Sequence, residues 1–468
     1  MVSRMLVVLL SILSALGALA AEVPAPVASV LRDRGLAAAD FSAFAQAVDA
    51  SDPLLAINAE IPRNPASAIK VLTTYAALEM LGPAYQWQTR VYLGGPVRDG
   101  VLNGGLILRG SGDPFLVTEY FWRLLRGLRD RGIRQISGDL VLDNSYFSLP
   151  PLDPGAFDGE SRRAYNALPD ALLLNFQTVR FVFFPEAGGI RVFAEPSPAN
   201  LTLDNRLRAV GGRCQGRHRR IGMQVSRAGG TTTVVFSGDY PRACGESDLY
   251  RVVMPNQDLV HGVFRDLWED LGGTLAGSAV GGRASGEPFY TQPSRPLAEL
   301  IRGMNKFSNN VMTRQLLLTV GAEQLGAPAT LGKGRQAVAD WLGRKNLEFP
   351  ELVLDNGAGL SRRTRISARS LGQLLLAAER SPYRAELISS LPIAAVDGTL
   401  RRRFRNEPLA RQMHIKTGTL DDVRAMAGFL RTRSGKHLVV VSLHNAPGVD
   451  QGIGTEVQNA LLRWLFEH

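Results

Sequence analysis

The sequence predicts a multidomain α/β protein, in which a domain of sheet and flanking helices is split in two by a long strand-rich insertion. Three observations carry this expectation. The chain has 468 residues, 45% of them hydrophobic, enough to build two or three cores. From about residue 91 to 288 the pattern is one of short strand-like runs broken by Gly, Pro and Asp, read as an insertion of more than one subdomain, two being expected. On either side, residues 21–90 and 289–468 carry longer apolar helical runs, and the chain closes on strand, strand, strand, helix.

Taken in order, residues 1–20 read as a secretory signal peptide. Arg4, the apolar run 5–16 and Ala18-Leu19-Ala20 supply its charged, apolar and small-residue parts, with cleavage after Ala20. No later stretch has eighteen consecutive apolar residues, so no transmembrane span is expected in the mature chain. A helical segment at 27–32 precedes two strand-like runs, 41–48 and 53–58. Residues 71–81 lack Pro and Gly and are closed by Gly82 and Pro83, which predicts a helix starting near Ser67. Within the insertion, 90–93 and 101–109 predict a hairpin around Arg98-Asp99-Gly100, and 120–131 an amphipathic helix. Strands are expected at 138–143, 172–184, 189–194 and 231–237, with short strands and turns continuing to about Gly286. Helices follow at 297–305, 309–320, 335–342, 371–379 and 385–391, then strands at 414–420, 424–431 and 437–443. The last helix, 456–466, places Val457, Ala460, Leu461, Trp464 and Leu465 on one face, read as packing on the sheet rather than as a membrane foot.

Composition excludes several classes of function. The net charge of +10 is mostly dispersed Arg, with clusters at 217–220 and 401–403 and no aromatic-interleaved basic face, so no nucleic-acid partner is expected. The six histidines lack metal-ligand spacing, and no metal or cofactor is expected. Cys214 and Cys244 are the only cysteines; in an exported chain an even count reads as a disulfide.

The chemistry centres on Ser67-Ala-Ile-Lys70. A serine in the first turn of a helix sits where unpaired N–H groups and the dipole favour developing negative charge. Lys70, three residues on, shares its face, and a desolvated lysine can take the proton that makes serine a nucleophile. The chain has only six lysines, at 70, 306, 333, 345, 416 and 436, and otherwise writes Arg. Arg cannot give up its proton, so a lysine at 70 suggests a working amine. Taken alone, the same tetrapeptide also fits a helix cap followed by a solvated lysine. Two further triplets change the weight: Ser308-Asn309-Asn310 between helical runs, and Lys416-Thr417-Gly418-Thr419 on a predicted strand. S-x-x-K, S-x-N and K-T-G in this order are the signature of penicillin-binding proteins and active-site serine β-lactamases.

With these motifs the chain resembles the class C low-molecular-mass penicillin-binding proteins, the D-alanyl-D-alanine carboxypeptidase/endopeptidase family, over nearly its whole mature length. The resemblance extends to Gly112-Asp113-Pro114, Gly138-Asp139-Leu140-Val141-Leu142-Asp143 and Met304-Asn305-Lys306. It continues through Asp355-Asn356-Gly357-Ala358-Gly359-Leu360-Ser361-Arg362 and Val396-Asp397-Gly398-Thr399-Leu400. Asn309, where the family usually carries Asp, and His414, where small residues are usual, are departures. The resemblance implies a β-lactamase/transpeptidase-like catalytic domain, an antiparallel sheet flanked by helices, interrupted by the insertion at 91–288.

The resemblance also implies roles. Ser67 would form an acyl-enzyme with the penultimate D-Ala of a peptidoglycan stem peptide, and Lys70 would take its proton. Ser308 would relay a proton to the leaving amine from between Lys70 and Lys416, and Asn310 would hold the substrate backbone. Lys416, Thr417 and Thr419, on the strand with Gly418, would bind the terminal carboxylate, and the N–H groups of Ser67 and Thr419 would form the oxyanion hole. Arg362 and Asp143 would line a pocket for the stem-peptide side chain, although Asp143 fits equally a turn residue ending a strand. β-Lactam antibiotics would be covalent inhibitors, and the protein would be periplasmic or otherwise extracytoplasmic. Two alternatives stay open: a serine β-lactamase, which in class A needs a deacylating Glu in an E-x-x-L-N stretch not found here, and a non-catalytic penicillin- or envelope-binding protein.

Overall fold

The structure is a computed structural model describing residues 23–214 and 221–468. The expected signal peptide and the basic cluster at 217–220 lie outside the described residues.

The two halves of the split domain meet in one sheet. Its strand order is Met413–Leu420, Val423–Arg431, His437–Asn445, Phe41–Ala47, Leu55–Ile57, antiparallel throughout. The N-terminal strand pairs with the last strand in the register Phe41↔His444 to Ala47↔Leu438. Side chains alternate across a pleat, so consecutive residues feed two different cores. Val439, Val441 and Leu443 join Phe44, Ala425 and Phe429 under the main helical layer. Leu438 and Val440 join Phe41, Met413 and Ile415 on the opposite face. That second face is covered by the helices Ala25–Asp33 and Ile453–Glu467, through Val27, Leu31, Val457, Leu461 and Leu465. Burial on both faces explains why these strands read as nearly continuous apolar runs. It also assigns the apolar stripe of the last helix to packing. No helix among the described residues is long and apolar enough to cross a membrane.

The helix Lys70–Leu81 runs through the main core, and every residue from Lys70 to Leu78 is buried. A helix surrounded on all sides needs apolar residues all round, and this sequence supplies them. Gly82 at φ 82° ends it, a conformation that costs glycine nothing.

The chain enters and leaves the inserted region through paired strands, Gln88–Leu93 and Tyr290–Pro293, with Tyr290 opposite Val91. The limits 91 and 288 lie at this crossing, and we propose them as the domain boundaries. Beyond it lie a five-stranded and a four-stranded sheet and two three-stranded sheets, which share one hydrophobic core with the helices Thr118–Asp130 and Asn256–Asp270.

Two expectations fail here. Residues 90–109 do not form one hairpin: Leu106–Arg109 pairs with Gln88–Leu93 in one sheet, while Val97–Arg98 and Val101–Leu102 form a small hairpin in another. Gly104 and Gly105, which pack directly on Gly94 and Gly95, break the apparent single strand between Leu102 and Leu106. The region also contains the 15-residue helix Asn256–Asp270, where short strands and turns are expected. Gly262 within it looks like a breaker. It is there for close approach, since a Cβ would stand 2.0 Å from Asn200 Oδ1.

Cys214 and Cys244 are joined, with an S–S distance of 2.07 Å and Cα atoms 4.9 Å apart. The bond ties the segment after the strand Leu201–Val210 to the turn Arg242–Cys244. Thiol titration of the denatured, unreduced protein should find no free thiol. A Cys214→Ser/Cys244→Ser variant should lose roughly 3–4 kcal/mol from the insertion in the chain-entropy model, while penicillin acylation stays unchanged. Two titratable thiols in the wild type would refute the bond.

Candidate active site

Three elements converge on Ser67. The first is its own turn. The α-helix begins at Lys70, one turn later than expected, and Ser67 sits in a preceding 3₁₀ turn, Ala66–Ile69. Ser67 is half-buried and caps nothing. The capping work falls to Asn64, whose Oδ1 accepts from the Ala66 N–H at 2.9 Å, with Ala66 held at φ 44°. Asn445, at the end of the last strand, fixes Asn64 in turn: its Oδ1 accepts from the Asn64 N–H at 2.8 Å and its Nδ2 donates to the Asn64 carbonyl at 3.1 Å. A strained backbone persists only where its surroundings over-determine it, and this reciprocal amide pair does so.

The second element is the strand Met413–Leu420. It crosses the Ser67 turn so closely that a Cβ at Gly418 would stand 2.5 Å from the Pro65 carbonyl oxygen and 2.9 Å from the Ser67 nitrogen. From the other side Gly359, at φ 79°, packs on Ala66 and Ser67. The Ser67 backbone is therefore clamped between two glycines. Gly418→Ala should fold but push the strand off the nucleophile. We expect penicillin acylation to fall by about 100-fold, the scale of a misplaced oxyanion donor, with Tm lowered by a few degrees as the backbone gives way. A wild-type rate in that variant would show that the close approach is dispensable.

The third element is the segment 308–310. Ser308 holds a left-handed φ of 59° at the start of the helix Asn310–Leu325. Asn309 Oδ1 accepts from the Met312 N–H at 3.1 Å, so the amide serves as the helix cap here.

The lysines connect these elements. Lys70 is fully buried, with Nζ 2.9 Å from Ser67 Oγ and 2.7 Å from Asn310 Oδ1, and it also donates to the Ala358 carbonyl. Burial, reinforced by the nearby charges of Lys416 and Arg314, holds its amine well below the usual lysine range. A neutral amine has two hydrogens and a lone pair. Asn310 Oδ1 and the Ala358 carbonyl accept the hydrogens, which leaves the lone pair facing Ser67 Oγ. The alternative of a solvated Lys70 does not survive this burial. Lys416 is also fully buried; its Nζ donates to Ser308 Oγ at 2.9 Å and to the Thr417 carbonyl at 2.7 Å. Burial pulls it down to about 7. Neither lysine has a carboxylate partner among the described residues. Ser308 thus touches Lys416, while the polar contacts of Lys70 are Ser67, Asn310 and Ala358.

The remaining expected residues divide. Thr417 Oγ1 lies 2.7 Å from Thr399 Oγ1, and Arg424 donates to Thr419 Oγ1 at 2.7 Å. Arg362 is half-exposed beside them, donating to Asp421 Oδ2 at 2.7 Å, with its guanidinium 4.8 Å from the Phe157 ring centre. Asp143 is elsewhere. It is buried, accepts from the Ser145 and Ala284 N–H groups at 2.9 Å each, and pairs with Arg109 at 3.6 Å. Those contacts are what a strand-ending turn residue makes.

Arg314, Tyr165, and the pair Asn64 and Asn445 are not among the residues expected from sequence. Arg314 sits one helical turn after Asn310, and both donate to the Tyr165 carbonyl, at 3.0 and 3.4 Å, which brings a loop of the insertion over the site. Its i+4 spacing from Asn310 was the available signal. Tyr165 and the asparagines carry none.

Comparison with known proteins gives the family and the fold. Residues 23–468 match the family described as D-Ala-D-Ala carboxypeptidase 3 (S13). The D-alanyl-D-alanine carboxypeptidase of Actinomadura sp. (strain R39) is 29% identical over 405 residues, covering 82% of this chain and 74% of the relative. The structure of penicillin binding protein 4 (dacB) from Haemophilus influenzae superposes with a TM-score of 0.78 at 23% identity, covering 94% of this chain and 99% of that chain. Its complex with a novel β-lactam superposes with a TM-score of 0.74 at 22% identity and the same coverage. At these identities the structural likeness establishes the fold, a transpeptidase-like α/β domain carrying a large insertion. With the match running from residue 23 to the last residue, the chain belongs to the D-Ala-D-Ala carboxypeptidase 3 (S13) family, enzymes of the serine-type carboxypeptidase class.

Proposed function

We propose that this protein is an exported serine D,D-peptidase that removes the terminal D-Ala from peptidoglycan stem peptides or cleaves D,D-cross-links between them. The observation that carries this reading is the fully buried Lys70, without a carboxylate partner among the described residues and with Nζ 2.9 Å from Ser67 Oγ. Such an amine has one chemical use in this position, as the base for acylation.

The steps follow from the placement of the groups. Ser67 Oγ attacks the carbonyl of the penultimate D-Ala as its proton moves to Lys70 Nζ. The oxyanion is held by the N–H groups of Ser67 and of Thr419, the residue after Gly418, whose backbone lies against the Ser67 turn. The carbonyl–nitrogen bond then breaks, and Ser308, held by Lys416, delivers a proton to the departing amine. Water hydrolyses the ester and restores the Ser67 hydroxyl. Lys416, Thr417 and Thr419 bind the carboxylate beside the scissile amide, and Asn310 holds the substrate backbone. Arg362 would line the acyl side of the pocket. β-Lactams would enter the same pathway and stop at the acyl-enzyme, as suits a family with a relative solved in complex with one.

The same acylation would occur in a β-lactamase. The full-length family match and the large insertion support the peptidase instead. Digesting purified peptidoglycan and weighing the fragments tests the proposal: loss of terminal D-Ala or of dimers is expected. Rapid hydrolysis of penicillin with intact peptidoglycan would overturn it.

A further inference from the structure

A cavity of about 400 Å³ opens on the leaving-group side of the site, lined by Lys306, Phe307, Gly398, Thr399, Arg401 and Arg402. Two of its walls belong to the machinery already described. Phe307 directly precedes Ser308, and Thr399 touches Thr417 at 2.7 Å. The cavity therefore adjoins Ser308 and Thr417, the residues assigned above to the leaving amine and its neighbouring carboxylate.

The lining has a definite character. Phe307 is 76% exposed, the most exposed large apolar side chain among the described residues. Lys306 is already used, paired with Asp397 at 2.6 Å and donating to the Leu391 carbonyl at 2.8 Å. Arg403 turns inward to Asn459 Oδ1 at 2.6 Å. Arg401 and Arg402 are both exposed, and their guanidinium groups have no hydrogen-bond or ion-pair partner among the described residues. That contrasts with the chain's other arginines, many of which pair with acids. An aromatic wall with two unpaired cations fits an aliphatic arm that ends in carboxylates.

We propose that this cavity is a subsite for the departing strand of a cross-linked substrate, an acidic peptide whose diamino diacid supplies the scissile nitrogen. The inference rests on the serine D,D-peptidase reading above and extends it to substrate preference. In acylation the Ser67 Oγ–carbonyl bond forms, the carbonyl–nitrogen bond breaks, and the serine proton ends on the departing amine. From a pentapeptide end that amine is free D-Ala, which is too small to reach Arg401 or Arg402. From a cross-link it belongs to a whole stem. The carboxylate next to the amine takes the Lys416–Thr417 position, the methylene arm lies on Phe307, and the peptide carboxylates meet the two arginines.

The test compares wild type with Arg401→Ser/Arg402→Ser on two substrates. One is a synthetic pentapeptide ending in D-Ala-D-Ala; the other is a purified disaccharide-tetrapeptide dimer cross-linked through a diamino diacid. The variant should lose about tenfold in kcat/KM on the dimer, the scale of two solvent-facing charge pairs. Pentapeptide hydrolysis and the rate of labelling by fluorescent penicillin should stay at wild-type values, which also reports an intact site. Added salt should slow dimer cleavage by the wild type and leave the variant's slower rate nearly unchanged. Equal losses on both substrates, or no loss on the dimer, would overturn the subsite. So would a wild type that cleaves the pentapeptide and leaves the dimer intact. A wild type that takes neither substrate and no penicillin would instead overturn the peptidase reading beneath it.

Discussion

Ser67→Ala is expected to remove penicillin labelling and peptide hydrolysis together, with a loss of at least about 10⁵-fold in kcat/KM. The size of the effect follows from the site's construction. The glycine clamp, the Asn64–Asn445 pair and the Lys70 lone pair all converge on one hydroxyl. With the hydroxyl gone, no second nucleophile stands beside Lys70 Nζ, whose other polar neighbours are the Asn310 amide oxygen and a backbone carbonyl. Ser67 is half-buried in a preformed turn, so Ala should fold with Tm near wild type. The measurement is fluorescent-penicillin labelling followed by mass mapping of the labelled peptide. Equal labelling of the variant would place the nucleophile elsewhere.

The second large effect separates the two buried lysines, which the proposed mechanism uses in opposite states. Lys70 must be neutral to accept the Ser67 proton; Lys416 must be charged to hold a carboxylate. Both are desolvated, but only Lys70 also lies under the influence of two other cations, Lys416 and Arg314. As the pair titrates, the first proton lost is therefore the one on Lys70. Arg keeps its proton at any accessible pH, so Lys70→Arg should lose about 10³-fold or more in acylation rate despite preserving the charge. Lys416→Arg retains the cation and should keep far more activity. The pH profile adds an independent signature. Lys416 titrates at about 7 in the free enzyme, so it is charged below that value and loses its charge as pH rises through it. For a substrate with a carboxylate beside the scissile bond, kcat/KM of the wild type should fall on that alkaline side. In Lys416→Arg the falling limb should disappear, because the cation no longer titrates. If Lys70→Arg acylates as fast as Lys416→Arg, Lys70 is not the base. If both proteins show the same alkaline limb, Lys416 does not produce it.

The candidate site was legible in one dimension because the proposed chemistry depends on residue types at fixed short spacings. Ser67 and Lys70 must share a turn. Lys416, Thr417 and Gly418 must share a strand, and Ser308 must precede a helix by a fixed step. A chain short of lysine marks the two that matter. Both ends of the chain carry the apolar runs of the doubly buried sheet that they form together. What lacked a local signal was everything that acts at a distance. The acceptors that orient the Lys70 amine come from Asn310 and Ala358, 240 and 288 residues away. The Asn64 turn is fixed by Asn445, 381 residues on, and no spacing rule announces that pair. Asp143 shows the converse. Its motif suggested a place in the pocket, but two backbone N–H groups and Arg109 claim its carboxylate within the insertion. The helix Asn256–Asp270 was hidden because Gly262 and its β-branched neighbours lower helix propensity, and only packing against Asn200 accounts for the glycine. By itself, the sequence picked out the groups proposed here to do the chemistry. The tertiary structure alone decided their burial and aim, because desolvation and orientation come from atoms that local sequence does not bring together.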